Sequence, residues 1–121
     1  MKETADIFKS LSEECRLRIL AMLDNGREVC VCKLTEVLKS THSRTSRHLA
    51  YLKRMKIVSS RRKGQWMYYK LNDKIGPEIG ELLKAIRPFI KQTAQGRKDV
   101  KKLCEIEENG ECKTVKKIHS L

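Results

Sequence analysis

Apolar positions in this chain recur at helical spacing through the first half, alternate strictly over one short stretch, and then return to helical spacing. Ile7, Phe8 and Leu11 form the apolar edge of a first short helix. Ser12-Glu13-Glu14 reads as a cap that places two acids in the positive first turn of a second helix. That helix buries Leu17, Leu20 and Ala21, with either Ile19 or Leu23 beside them, and Asn25-Gly26 ends it. Leu34, Val37 and Leu38 hold the spacing of a third buried stripe, and Cys30 and Cys32 fall at its beginning. Ser40-Thr41 interrupts the pattern with Thr41 as the next N-cap. A fourth helix then runs from about His42 to Met55, burying Thr45, Leu49, Leu52 and Met55.

From Val58 to Leu71 the period becomes two. Met67, Tyr69 and Leu71 alternate with Trp66, Tyr68 and Lys70, and Lys63-Gly64 supplies a hairpin turn. Two helices joined by a short turn and followed by a hairpin predict a helix-turn-helix with a wing. Beyond Asp73 the helical period returns in Ile75, Ile79, Leu82, Leu83, Ile86, Phe89 and Ile90. This stripe is broader than a small core needs, so part of it is expected to face a second copy of the chain. Pro77 suits a first helical turn, while Pro88 should kink the helix or end it near Arg87.

The pattern therefore predicts a mainly α fold with a small β-hairpin: a dimeric winged helix-turn-helix of about five helices plus a two-stranded wing. Residues 1–95 would form the DNA-binding and dimerisation domain, dimerising through residues 73–95 and the N-terminal helix. Residues 96–121, rich in Lys and Glu and carrying Cys104 and Cys112, read as a short helix and a loosely held tail.

Charge sharpens this picture. The formal charge is +12, from 27 basic and 15 acidic residues. No Asp or Glu lies between Glu36 and Asp73, a stretch with ten of the basic residues, and the remainder is nearly balanced. A localised basic segment points to a polyanion, and double-stranded DNA fits it better than a membrane surface, since no Lys/Arg-rich amphipathic helix with an aromatic face is present. The beginning of the chain has no apolar signal region, and no apolar run approaches the roughly 20 residues of a membrane span. The expectation is a cytoplasmic protein whose five cysteines are mostly reduced. Catalytic triads, phosphate-binding loops and glycine-rich dinucleotide turns are lacking, so no enzyme and no organic cofactor is expected.

His42, Ser43, Arg44, Ser46 and Arg47 occupy the beginning of the fourth helix, where helix-turn-helix proteins reach base edges. Arg61, Arg62 and Lys63 are expected at the wing tip, along the backbone or in the minor groove, although a charged tip also suits any soluble sheet edge. His48 fits an inward structural role as well as a DNA contact, and Lys53, Arg54 and Lys56 reach phosphates or nothing. Cys30 and Cys32 are soft-metal or redox ligands in prospect, or else small buried side chains. In a regular helix, residues two apart point about 200° from one another, so both thiols would meet one ion only if the helix start unwound.

The runs Glu28-Val29-Cys30-Val31-Cys32-Lys33-Leu34, Ser46-Arg47-His48-Leu49 and Lys63-Gly64-Gln65-Trp66-Met67-Tyr68-Tyr69-Lys70-Leu71 resemble the ArsR/SmtB family over roughly residues 5–95. The resemblance implies a dimeric winged-helix repressor. Cys-Val-Cys before the recognition helix is similar to the arsenic- and antimony-responsive branch, which implies trivalent arsenic or antimony as inducer, held by Cys30 and Cys32. Such repressors often carry a third cysteine three residues on, where this chain has Thr35. Cys104 and Cys112 could lend a third thiolate, form a separate pair, or be incidental. The family's other common site needs histidines on the long dimerisation helix, and residues 73–95 contain none. Two alternatives stay open: a repressor of the same fold responding to thiol oxidation or reactive sulfur, and a DNA-binding protein with no inducer.

Overall fold

In the computed structural model, which describes residues 1–108, the chain begins with α1 (Lys2–Leu11) and α2 (Glu14–Met22). A 3-10 turn at Asp24–Gly26 leads into β1 (Val29–Cys30), α3 (Val31–Leu38) and α4 (His42–Arg54). The wing strands β2 (Val58–Lys63) and β3 (Trp66–Leu71) follow, then α5 (Pro77–Gln92) and α6 (Ala94–Glu108). This is the winged helix-turn-helix that the periodicity predicts. Among the described residues no helix is long and apolar enough to cross a membrane.

The core forms where the predicted stripes meet. Ile19, Leu20, Met22 and Leu23 of the α2 segment, Leu34 of α3, and Leu49 and Leu52 of α4 are fully buried. Each such side chain contributes about 1.5–3 kcal/mol relative to exposure. The turn between α3 and α4 depends on Lys39, whose left-handed φ of +52° ends α3 and lets the Ser40 N–H donate to the Thr35 carbonyl. Thr41 then caps α4, its hydroxyl accepting from the Arg44 N–H at 3.1 Å. At the other end of α4, Asn72 ties β3 to the α4–β2 turn by donating through its side chain to the Lys56 carbonyl and through its backbone to the Ile57 carbonyl.

The structure departs from the sequence reading in four places. The wing is a three-stranded antiparallel sheet ordered β1-β3-β2, because Val29 and Cys30 pair with Tyr69 and Tyr68. Cys30 consequently lies outside α3: its backbone is extended (φ −68°, ψ 140°) and it stands at the N-cap. Of the two outcomes expected at Pro88, a kink or an end near Arg87, the helix end is not found, because α5 continues to Gln92. The proline is exposed and removes a single backbone donor, while buried Ile90 holds the last turn against the core.

The fourth departure concerns α6, a sixth helix of 15 residues that packs on α2, α3 and α5. Leu103 and Ile106 enter the core, and the Arg18 guanidinium grips buried Asp99 with two bonds of 2.8 and 2.9 Å. Arg27 and the fully buried Glu107 form a second ion pair at 2.5 Å. Gly96 allows the corner between α5 and α6, since a Cβ there would collide with the Ile90 carbonyl. The core thus extends beyond residue 95, and Cys112 lies outside the described residues.

Candidate nucleic-acid interface and thiol site

The exposed face of α4 begins at its N-terminus with His42, Ser43 and Arg44, and Arg47 continues it one turn later. Ser46 is half-buried, with its hydroxyl 3.4 Å from His42 Nδ1. Burial of Thr45, Leu49 and Leu52 fixes which side of α4 faces inward, so these polar residues share the outer side. No acidic residue lies on α4.

His48 faces inward, toward the beginning of α2. Arg16 Nε donates to His48 Nδ1 at 3.3 Å, and His48 Nε2 stands 3.6 Å from a Glu13 carboxylate oxygen. Arg16 also stacks on Tyr51, its guanidinium carbon 3.9 Å from the ring centre, with Arg54 at 5.1 Å. Cys15 lies in the same cleft, and burial, aided by the Glu13 charge, pushes its thiol pKa up.

On the wing, the last paired residues are Lys63 and Trp66, with Gly64 at φ +65° forming the turn. Arg62 and Lys63 are exposed at this tip, as expected. Arg61 is placed differently: it stands two pairs back, opposite Tyr68, and its guanidinium donates to both Glu28 oxygens at 2.6 and 2.8 Å. This hydrogen-bonded pair holds the Glu28 carboxyl below the usual carboxylate range. Glu28 precedes β1 directly, so the wing is fastened to the strand that carries Cys30.

The sulfurs of Cys30 and Cys32 converge to 2.8 Å. The expected need to unwind α3 does not arise, because Cys30 is extended and only Cys32 is helical. Cys30 is buried against Tyr68, whereas Cys32 is half-buried. Two sulfurs at this separation can share one soft ion about 2.3 Å from each after a slight opening. Thr35, one turn along, turns its hydroxyl back to the Val31 carbonyl at 2.8 Å and offers no ligand toward them. Cys104 is half-buried on α6 and joins no converging ligand group with Cys30 and Cys32 among the described residues. The ligand group of three that does converge there, Glu13, Cys15 and His48, was not singled out by sequence because its members lie on two separate helices.

Residues 13–60 match the family described as "Bacterial regulatory protein, arsR family". The chain is 38% identical over 80 residues to an arsenic resistance transcriptional regulator of Pseudomonas putida, covering 66% of this chain and 62% of that relative. It is 40% identical over 76 residues to the arsenical resistance operon repressor of Bacillus subtilis, covering 63% of this chain and 70% of the relative. Among solved structures, HlyU of Vibrio cholerae superposes with a TM-score of 0.64 at 28% identity, over 75% of this chain and 95% of the other.

Proposed function

The chain belongs to the arsR family of bacterial regulatory proteins, and on that premise we propose that it is a dimeric, metalloid-responsive repressor, released from operator DNA when trivalent arsenic or antimony binds Cys30 and Cys32. Like its family, it is a DNA-binding regulator and not an enzyme. The observation that carries the reading is the 2.8 Å approach of the two sulfurs at the N-terminus of α3, the helix that supports the recognition helix. The names of the arsenic-resistance relatives point the same way.

Two recognition helices, one per protomer, enter successive major grooves. Arg44 and Arg47 read bases, with His42, Ser43 and Ser46 at bases or phosphates, and Arg62 and Lys63 lie along the backbone. Arg61 is assigned mainly to the Glu28 tether. Dimerisation uses the apolar surface left on α1 and α5, where Phe8 and Phe89 are 54% and 73% exposed.

Arsenite gives up two of its three hydroxides to the protons of the two thiols, leaving as two waters, and keeps one hydroxide as third ligand. Two arsenic–sulfur bonds form, with no oxidation. The larger separation that a bridging atom imposes moves Cys30 away from Cys32, and so shifts β1 relative to α3. Emptying an operator from 99:1 to 1:99 requires about 5.5 kcal/mol of differential binding, within reach of two such bonds.

The closeness of the sulfurs also favours a second reading, in which oxidation joins them as a disulfide and releases DNA. Titrating the operator complex separately with arsenite and with peroxide distinguishes the two. Release by arsenite at stoichiometric amounts, with peroxide ineffective, is the expected result; release by peroxide alone would replace the metalloid reading with the redox one. No release by either would leave a DNA-binding protein without these inducers.

A further inference from the structure

The geometry points to a second metal site, formed by Glu13, Cys15 and His48, that takes a borderline divalent cation of the zinc class and joins α2 to the recognition helix. One carboxylate oxygen, one thiol sulfur and one imidazole nitrogen lie within 4.8 Å of one another. Zinc–sulfur and zinc–nitrogen bonds of about 2.3 and 2.0 Å need ligand atoms to close by roughly 1 Å from that limit, a displacement that side-chain rotation provides.

The three residues are held in place. Glu13 is the N-cap of α2, with one oxygen accepting from the Cys15 N–H at 2.5 Å and the other turned to His48. All three are half-buried, which limits their freedom before an ion arrives. Carboxylate, thiolate and imidazole together are a donor set for zinc, cobalt or nickel, and a fourth position stays open to water from the cleft of about 640 Å³. One thiol does not suit trivalent arsenic, so this site and the Cys30–Cys32 pair select different ions.

Charge opposes the ion in part. Arg16, Arg44, Arg47 and Arg54 line the same cleft, and the beginning of α2 carries a partial positive charge. Two anionic ligands balance a divalent ion locally, with the Cys15 proton passing to solvent. Arg16 now donates to His48 Nδ1, which leaves the ring proton on Nε2 facing Glu13. A metal at Nε2 transfers that proton to Nδ1 and frees Arg16, which keeps its place on the Tyr51 ring. Because His48 lies one residue after Arg47 and four after Arg44, the ion would anchor α4 beside its DNA-facing arginines.

The test uses the 121-residue chain carrying Cys30→Ser and Cys32→Ser, titrated with cobalt(II) and followed by the charge-transfer absorption of a cobalt–thiolate bond. The expected result is a band that saturates at one cobalt per chain, vanishes on adding Cys15→Ser, and forms roughly tenfold more weakly or worse with His48→Gln. No band in the parent, a band surviving Cys15→Ser, or an unchanged affinity with His48→Gln would overturn the site. In the unaltered chain, zinc is expected to slow alkylation of Cys15 roughly tenfold or more, read by mass spectrometry of its peptide. An alkylation rate indifferent to zinc would overturn the site without any substitution.

Discussion

Cys30 stands directly opposite Tyr68 across β1 and β3, and the same Tyr68 stands opposite Arg61 across β3 and β2. One row of the sheet therefore runs from a buried thiol to the arginine that fastens the wing to Glu28. β1 pairs with β3, and α3 packs on both β1 and α4, so a shift of Cys30 would have a contiguous route to the wing and to α4. On the proposed reading, the wing would take part in release alongside the recognition helix.

Arg61→Ala tests the tether. The Glu28 carboxyl, held low by Arg61, should rise toward the ordinary value of about 4.3 in an NMR titration. A depressed carboxylate stabilises the folded state above its unfolded pKa, and that contribution is lost as pH falls through the lowered value. The wing is thus fastened at neutral pH and loosens only in acid. The variant should bind arsenite as tightly as the parent but release DNA less completely. A Glu28 titration unchanged by the substitution would contradict the tether.

Arg47→Ala should weaken operator binding by about 1–3 kcal/mol and relax sequence preference, while Lys63→Ala should lower the salt slope by about one and leave preference intact. Fluorescence anisotropy over a range of salt, with operator and random duplexes, separates the two. Equal losses on both duplexes for Arg47→Ala would remove it from base recognition.

Leu103→Ala should cost about 2–5 kcal/mol in urea unfolding, because Leu103 is fully buried although it lies beyond residue 95. A chain ending at residue 95 should lose more, since it also leaves Arg18 and Arg27 without Asp99 and Glu107. Unaltered stability in either variant would make α6 an appendage.

Phe89→Glu should shift the sedimentation equilibrium toward monomer and weaken operator binding, because the ring is exposed on α5 where the proposed partner covers it. A dimer unaffected by this charge would move the interface elsewhere.

The helices through α5 were legible because their stripes repeat at helical spacing, and α4 was doubly marked by Thr41 and by the absence of acids. β1 was not, since a strand of two residues has no alternation to read, and its status depends on Tyr68 and Tyr69 far along the chain. The same two residues decide whether the thiols diverge or converge. A short helix beyond residue 95 was legible, but the packing of α6 into the core was hidden by composition: its Lys and Glu look solvated, yet Asp99 and Glu107 are buried by arginines 81 and 80 residues away. The sequence leaves His48 open between an inward role and a DNA contact, and its meeting with Cys15 required the packing of α4 on α2.

The central claim rests on the two sulfurs 2.8 Å apart, and the direct measurement is arsenite-driven release of a labelled operator by the parent chain, by Cys30→Ser and by Cys32→Ser. The account predicts that all three bind the operator equally and that arsenite releases only the parent. Release of both variants at the parent's arsenite concentration would contradict it.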